Sequence, residues 1–165
     1  MFDWKKISTT LKTFDIRRIL TRVRSLLISN WMLYLAVFVY IIVLSTITIL
    51  KNCAFLTSGF DLGIFNQAFH TTLFEGKLFY HTGDLSFNPG GSFFGTHFSP
   101  ILFLLLPFYA IYPHAENFLV MQTVILALGA FPVYWMSREK LGKNIGLLLS
   151  MIYLVYPPLV LLNLN

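Results

Sequence analysis

The sequence predicts an all-α, polytopic membrane protein with three transmembrane helices and further helices in a large first outer loop. Composition predicts this class first. Of the 165 residues, 56% are hydrophobic and only 12% are charged, whereas a soluble domain carries about 25% charged residues. A water-soluble globule of this size has no core that buries so many apolar side chains, so lipid must be the solvent for much of the chain.

The first 30 residues form a basic segment. Lysines and arginines outnumber Asp3 and Asp15 there, and apolar residues recur near helical spacing between them. This pattern predicts an amphipathic helix on the inner membrane surface. Nucleic-acid binding is the other reading of a basic tail. Beside a membrane span, however, such a cluster favours contact with membrane lipid and a cytoplasmic N-terminus, without nucleic acid as a partner.

The first predicted span covers residues 31–50, a run without charge. At about 1.5 Å per residue it crosses a hydrocarbon layer of roughly 30 Å. Further spans are predicted at 117–136 and 145–162. The loop between them, 137–144, is basic, and the positive-inside rule places it in the cytoplasm.

The end of the chain suggests a partial protein. In the third span, Gly146 and Ser150 form a pair of small residues that admits a close neighbour. Pro157 and Pro158 bend or end that span near the outer surface. The chain stops at Asn165 without a closing loop, so we expect an N-terminal fragment whose partners include the remaining helices of a longer protein.

Residues 51–116 are poor in lysine and contain no arginine, which predicts an extracytoplasmic loop. Two juxtamembrane helices are predicted in it, at about 61–75 and 99–112. The apolar run 101–112 is interrupted by Pro107 and reaches only about 18 Å as a helix, so it is too short to cross the bilayer. The many aromatic residues of this loop are expected to contact lipid and anchor at the interface; they include Phe93, Phe94, Phe98, Phe103, Phe108, Tyr109 and Tyr112.

Asp61 is the first candidate catalytic residue. It is a lone carboxylate just beyond the first span, and charge near hydrocarbon costs roughly 2.5–3.5 kcal/mol at the bilayer centre, so it tends to be kept for a purpose. Asp61 also precedes a predicted helix, and a plain capping role carries equal weight. His97 is the second candidate, because it lies in a polar turn across the loop. His70 and His81 are further groups for a common site.

A metal site is a weaker interpretation. The chain offers Asp61, Asp84 and histidines as ligands, but their spacing matches no established ligand pattern. The cofactor therefore stays unknown, with a divalent metal as the candidate.

Four segments resemble a prokaryotic family of predicted membrane proteins, domain of unknown function twenty seventy-nine. They are 60–67, 96–100, 104–107 and 138–142. That family is similar in turn to the class C glycosyltransferases. The resemblance implies an enzyme that uses a polyprenyl-phosphate-linked sugar, with Asp61 as the base on an acceptor or as a metal ligand. His97 matches a family histidine of unassigned role.

The resulting hypothesis is the N-terminal part of a glycosyltransferase-like enzyme in the plasma (inner) membrane, inactive alone and acting at the outer face. The alternative is a non-enzymatic membrane protein, either a transporter portion or an assembly subunit. A transporter is expected to keep polar groups near mid-membrane. Here Gln122 is the main polar residue in the spans, which favours chemistry at the surface.

Overall fold

The computed structural model describes residues 30–57 and 59–164. The chain divides into two units, Met1–Ala36 and Val37–Asn165, and the packing described below lies within the second. The predicted basic tail, 1–30, lies outside the described residues except for Asn30. Across the described residues the protein is helical, and its β-structure is an isolated antiparallel bridge between Tyr80 and Ser92.

The described part of the chain forms helices of very different length. They are α1 (Trp31–Cys53), α2 (Gly59–Phe74), α3 (Ile101–Ile111), α4 (Ala115–Leu128), α5 (Ala130–Leu141), α6 (Lys143–Leu154) and α7 (Pro157–Leu164). A short 3-10 turn, Phe93–Gly95, lies in the loop between α2 and α3.

Three stretches of these helices are long and apolar enough to cross a membrane. They are Trp31–Cys53, then α4 with α5 as Ala115–Leu141, and then α6 with α7 as Lys143–Leu164, with 23, 27 and 22 residues. At about 1.5 Å per residue each exceeds the roughly 30 Å hydrocarbon thickness. The predicted fold class, an all-α membrane protein with three spans, is confirmed.

Two of the spans are interrupted, each near a proline. The third span breaks between Leu154 and Pro157, at the position where the sequence predicts a bend. The second span breaks at Gly129, which the sequence analysis did not predict. Pro132 lies just beyond it, and because proline has no backbone N–H it leaves one helical carbonyl without its usual partner.

The turn between α5 and α6 brings two antiparallel helices into close contact. Gly142 joins them with φ of 86°, a left-handed conformation that glycine adopts without steric cost. A Cβ atom at Gly146 would lie 3.0 Å from the backbone nitrogen of Arg138 and 3.1 Å from the carbonyl oxygen of Tyr134. Gly146 therefore allows the backbones to approach, as its pairing with Ser150 predicts.

Polar contacts gather the ends of the spans at one face. The Lys51 ammonium, near the end of α1, donates to the carbonyl oxygen of Leu164 at the end of α7. The Asn52 amide donates to Glu116 Oε1, in the first turn of α4, over 3.2 Å. The segment between α1 and α4 therefore begins and ends at the same face of the membrane.

This geometry decides the course of α3. A segment that begins and ends at one face crosses the bilayer an even number of times, and α3 has only 11 residues, about 16 Å of helix. It is therefore a juxtamembrane helix, as its length predicts. The expected interruption at Pro107 is wrong, because the helix continues through Pro107 to Ile111.

The loop between α1 and α4 has an aromatic core of its own. Phe69 of α2 is fully buried and packs edge-on against Phe79 at 5.2 Å and Tyr109 at 5.3 Å between ring centroids. Phe118 of α4 covers Phe69 at 4.9 Å. The buried members of this core are Ala68, Phe69, Phe79, Phe93, Leu102 and Tyr109.

This core corrects the interpretation of the loop aromatics as lipid contacts. Phe93 and Tyr109 are buried in protein, although Phe98 and Phe108 are exposed as expected. The composition of the loop does not distinguish the two environments, because an aromatic ring suits a core as well as an interface.

Hydrogen bonds from α2 attach the loop to this core. The Thr71 hydroxyl donates to the carbonyl oxygen of Tyr80 over 2.7 Å. Gln67 Oε1 accepts from both the backbone N–H and the hydroxyl of Thr82, each at 3.0 Å. The buried Tyr109 hydroxyl donates to Asn66 Oδ1 over 2.7 Å. These polar residues of α2 therefore contact the rest of the loop, which fixes the position of α2 within it.

Candidate functional site

Asp61 lies in the first turn of α2. The helix begins at Gly59, so Asp61 is inside the helix and does not occupy the N-cap position that the capping interpretation assigns to it. Its negative charge still lies close to the positive end of the helix dipole. Among the described residues, no hydrogen bond or ion pair engages the exposed carboxylate, which leaves it available to a ligand.

A cavity of about 620 Å³ lies beside Asp61. This volume is typical of a site for a small ligand, about 300–1,000 Å³. Its wall combines α2 and α3 of the loop with α4 and α7 of the spans. The lining residues are Thr57, Asp61, Leu62, Phe65, Phe69, Ser99, Ile101, Leu102, Leu105, Phe118, Leu119, Met121, Gln122, Ile125, Leu126 and Leu162.

Most of this wall is apolar, and its polar groups are few. Asp61, Thr57 and Ser99 come from the loop, and Gln122 comes from α4. The Gln122 amide donates to the carbonyl oxygen of Leu162 over 2.9 Å, so it satisfies the backbone of α7. A concave apolar site with a few polar groups is the usual form of a ligand pocket.

The cavity wall carries one charged group within the described residues, the Asp61 carboxylate. Two lysines of the same loop are engaged elsewhere. Lys51 donates to Leu164, and Lys77 pairs with Glu75 at 2.7 Å. The hydrogen bond from Lys77 lowers the pKa of Glu75, and the same bond raises the pKa of Lys77. This pair is at the exposed end of α2 and does not line the cavity.

His97 is not part of the cavity wall. It is exposed, and its ring lies 5.1 Å from the ring of Phe93. Phe93 in turn lies 5.2 Å from Phe65, which lines the cavity. The ring contacts of His97 therefore reach the cavity wall through Phe93 and Phe65, and Ser99, two residues further along the chain, lines the cavity. No hydrogen bond between described residues joins His97 to Asp61.

His70 and His81 are also separate from Asp61. His70 is exposed, against the ring of Phe74 at 4.7 Å. His81 is only 2% exposed, and its Nε2 faces Asp84 Oδ1 at 3.4 Å. Its Nδ1 accepts the backbone N–H of Gly83 over 3.3 Å, which places the proton on Nε2. The sequence gives no signal for this pair, because the two residues lie in an irregular loop.

The described residues contain no group of three or more His, Cys, Asp or Glu side chains that is arranged to hold a metal ion. Asp61 is the one such residue on the described part of the cavity wall. The described part of this wall therefore does not fit a metal ion.

Comparison with known proteins agrees with the membrane architecture. Residues 51–165, most of the chain, match the family described as Predicted membrane protein (DUF2079). The chain belongs to this family. No curated protein and no solved structure matches it. As a member of DUF2079, the chain is a multi-pass membrane protein, and the matched region contains the cavity, the loop and the second and third spans.

Proposed function

We propose that this DUF2079 member is the N-terminal part of a glycosyltransferase-like enzyme of the plasma membrane. It takes a sugar from a polyprenyl-phosphate carrier at the outer face, with its N-terminus in the cytoplasm and further helices of a longer protein as partners. One observation carries the proposal: a carboxylate free of other described partners lies on the wall of an apolar cavity at the membrane face.

In the proposed step, Asp61 is the general base. The acceptor hydroxyl oxygen forms a bond to the anomeric carbon of the sugar, and the bond from that carbon to the phosphate oxygen breaks. The hydroxyl proton passes to the Asp61 carboxylate, and the carrier leaves as polyprenyl phosphate. A positioned base contributes typically 10²–10⁴-fold to such a reaction.

His97 has a separate place in the proposal. Its exposed ring lies beyond Phe93 from the cavity, so it is positioned to contact the polar part of a substrate that extends out of the cavity. We assign it no proton transfer.

The alternative is a non-enzymatic protein, either a transporter portion or an assembly subunit. The contacts of polar groups inside the spans are evidence on the transporter alternative. The Thr123 hydroxyl donates to Asn163 Oδ1 over 2.9 Å, and Gln122 donates to Leu162. These contacts hold α4 against α7 and engage the Gln122 amide and the Thr123 hydroxyl in helix packing, although a mid-membrane transport site needs polar groups that face its cargo.

Asp61→Asn tests the proposal in the longest natural protein that contains this chain. We expect glycolipid processing in membranes to fall at least 100-fold, because the amide cannot accept the proton, while the amount of inserted protein stays unchanged. Glu75→Gln is the matched control, since it removes a carboxylate of the same loop outside the cavity, and it should keep full activity. Full activity of Asp61→Asn removes Asp61 from the reaction and favours the non-enzymatic alternative.

A further inference from the structure

The polarity of the cavity wall changes with depth in the membrane. Thr57 donates to Asn52 over 3.2 Å, and Asn52 donates to Glu116 over 3.2 Å. These contacts place Thr57 level with the first turn of α4, at the membrane face. The neighbouring polar groups of the wall, Asp61 and Ser99, also belong to the loop at this face.

The far end of the cavity is inside the hydrocarbon layer. Leu126 lies ten residues beyond Glu116 along α4, about 15 Å deeper at 1.5 Å per residue. That is about half of the roughly 30 Å hydrocarbon thickness. The wall at this depth is apolar, with Ile125 and Leu126 on α4. Gln122 lies between the two levels, and its amide is engaged by the carbonyl oxygen of Leu162. The cavity therefore has its charged and hydroxyl groups at the face and an apolar end toward the bilayer centre.

The cavity also has an open side. Ile125 and Leu162 line it, yet their side chains remain 57% and 59% exposed. Both belong to spans, Ile125 near the depth of Leu126 and Leu162 two residues from the end of α7 at the membrane face. The surface that they expose therefore faces lipid between the face and the bilayer interior. Ile101, at the start of α3, also lines the cavity and is 55% exposed. An apolar chain can therefore pass from the bilayer into the cavity without crossing water.

The charge at the polar end selects the head group. Asp61 carries a negative charge, and no lysine or arginine lines the cavity in the part of the chain that the structure describes. At about 4 Å, two like charges repel by roughly 4 kcal/mol at the effective dielectric constant of a protein surface. A phosphate head is therefore disfavoured, whereas a hydroxyl group can donate a hydrogen bond to the carboxylate.

We propose that this cavity binds a single-chain lipid alcohol, with its hydroxyl group at Asp61 and its chain along α4 and α7. The volume of about 620 Å³ is in the range for one such ligand. The inference rests on the proposed function and deepens it: this cavity holds the uncharged acceptor. The donor meets the acceptor hydroxyl from outside the cavity through its anomeric carbon, with its phosphate group on the side of the sugar away from Asp61.

Photo-crosslinking with two matched probes tests the inference. The chain is placed in zwitterionic lipid nanodiscs with a hexadecanol or a hexadecyl phosphate that carries a diazirine at the same chain carbon. Adducts are counted on α4, within 115–128, by peptide mass spectrometry and normalised to adducts on the lipid-facing α1, which corrects for partitioning. We expect the alcohol to label α4 at least 10-fold more than the phosphate, with saturation by unlabelled hexadecanol.

Two variants test separately the effect of the Asp61 charge and the effect of the cavity volume. Asp61→Asn removes the repulsion, and we expect phosphate labelling to rise to within about 2-fold of alcohol labelling. Leu126→Trp fills the deep end and should reduce labelling by both probes at least 5-fold. Leu128→Trp is its control, because Leu128 is exposed on the same helix and does not line the cavity.

The outcomes are distinct from those of the activity test. Equal labelling of the wild-type chain by alcohol and phosphate, or labelling that does not saturate, overturns the inference. If that result occurs while Asp61→Asn still abolishes glycolipid processing, the proposed function stands and only the assignment of the acceptor to this cavity fails. Selective alcohol labelling together with full activity of Asp61→Asn gives the opposite result: a lipid-binding site without the proposed reaction.

Discussion

The Asp61 carboxylate lies both in the first turn of α2 and on the wall of an apolar cavity. The first location places the carboxylate near the positive end of the helix dipole, and the second exposes it on the cavity surface. A structural and a chemical role for Asp61 therefore do not exclude each other.

At the scale of single residues, the sequence singles out a residue that is unusual for its surroundings. Asp61 is conspicuous because it is a lone carboxylate beside a long apolar run. The contact of buried His81 with Asp84 at 3.4 Å has no such signal, because it depends on how an irregular loop folds. The placement of His97 outside the cavity wall is likewise set by the tertiary packing of Phe93, which no local pattern encodes.

Tyr109→Phe is expected to destabilise the loop. The Tyr109 hydroxyl donates to Asn66 Oδ1 over 2.7 Å, and its loss leaves a partly buried acceptor unpaired, a cost of about 1–2 kcal/mol. An equilibrium unfolding titration in detergent measures this difference. Tyr112→Phe is the control, because Tyr112 is 51% exposed, and a loss of similar size there contradicts the assignment.

The same tyrosine gives the loop a pH dependence. Burial raises the pKa of Tyr109 above its ordinary 10.0, so the folded state holds the proton more tightly than the unfolded state. The contribution of this group to stability is complete below pH 10 and is lost as the pH rises through the raised pKa. We expect the wild-type chain to lose more stability than Tyr109→Phe over that alkaline range.

At the scale of the helices, length and hydropathy predict the three spans well, because lipid selects both properties directly. The break between α6 and α7 is also predicted, since two adjacent prolines mark it. The break at Gly129 is not, because Pro132 alone is compatible with either a kink or a continuous helix. The aromatic core is missed because composition does not reveal whether a phenylalanine faces lipid or protein.

Gly146→Ala tests the close contact between α5 and α6. The added Cβ would lie 3.0–3.2 Å from backbone atoms of Arg138 and Tyr134, and backbone cannot rotate away as a side chain does. Overpacking of this kind costs about 1–3 kcal/mol, measurable by the same unfolding titration.

Gly63→Ala supplies the comparison for that result. Gly63 lies inside α2, and nothing lies within 4 Å of an added Cβ atom. Alanine there should gain roughly 0.5–1 kcal/mol from helix propensity. If both substitutions have the same sign, the crowding at Gly146 does not explain its effect.

At the scale of the whole molecule, the contacts of Lys51 and Asn52 decide the path of the chain. They join the end of α1 to the end of α7 and the start of α4, so the loop containing Asp61 lies on one side and the turn at Gly142 on the other. The positive-inside rule predicts the same arrangement independently, because the basic loop 137–144 and the loop 51–116, which is poor in lysine and arginine, fall on opposite sides.

Cysteine labelling of intact cells tests this arrangement and its orientation. In a Cys53→Ser background, Ser86→Cys is expected to react with a membrane-impermeant maleimide from outside. Asn144→Cys should react only after permeabilisation, because Asn144 lies where the second and third spans meet, at the membrane face opposite to the loop that contains Ser86. Both positions are exposed in the structure, so access is not limited by burial. Reaction of both from the same side contradicts the three-span path.

The packing of Phe118 has a consequence for biogenesis. Its ring belongs to α4 yet lies 4.9 Å from Phe69 and 5.0 Å from Tyr109, so the aromatic core of the preceding loop lacks one wall until α4 has been synthesised. The loop can therefore finish folding only after α4 is in place beside it. Completion of the loop core and membrane insertion of the next hydrophobic segment are thus coupled in time.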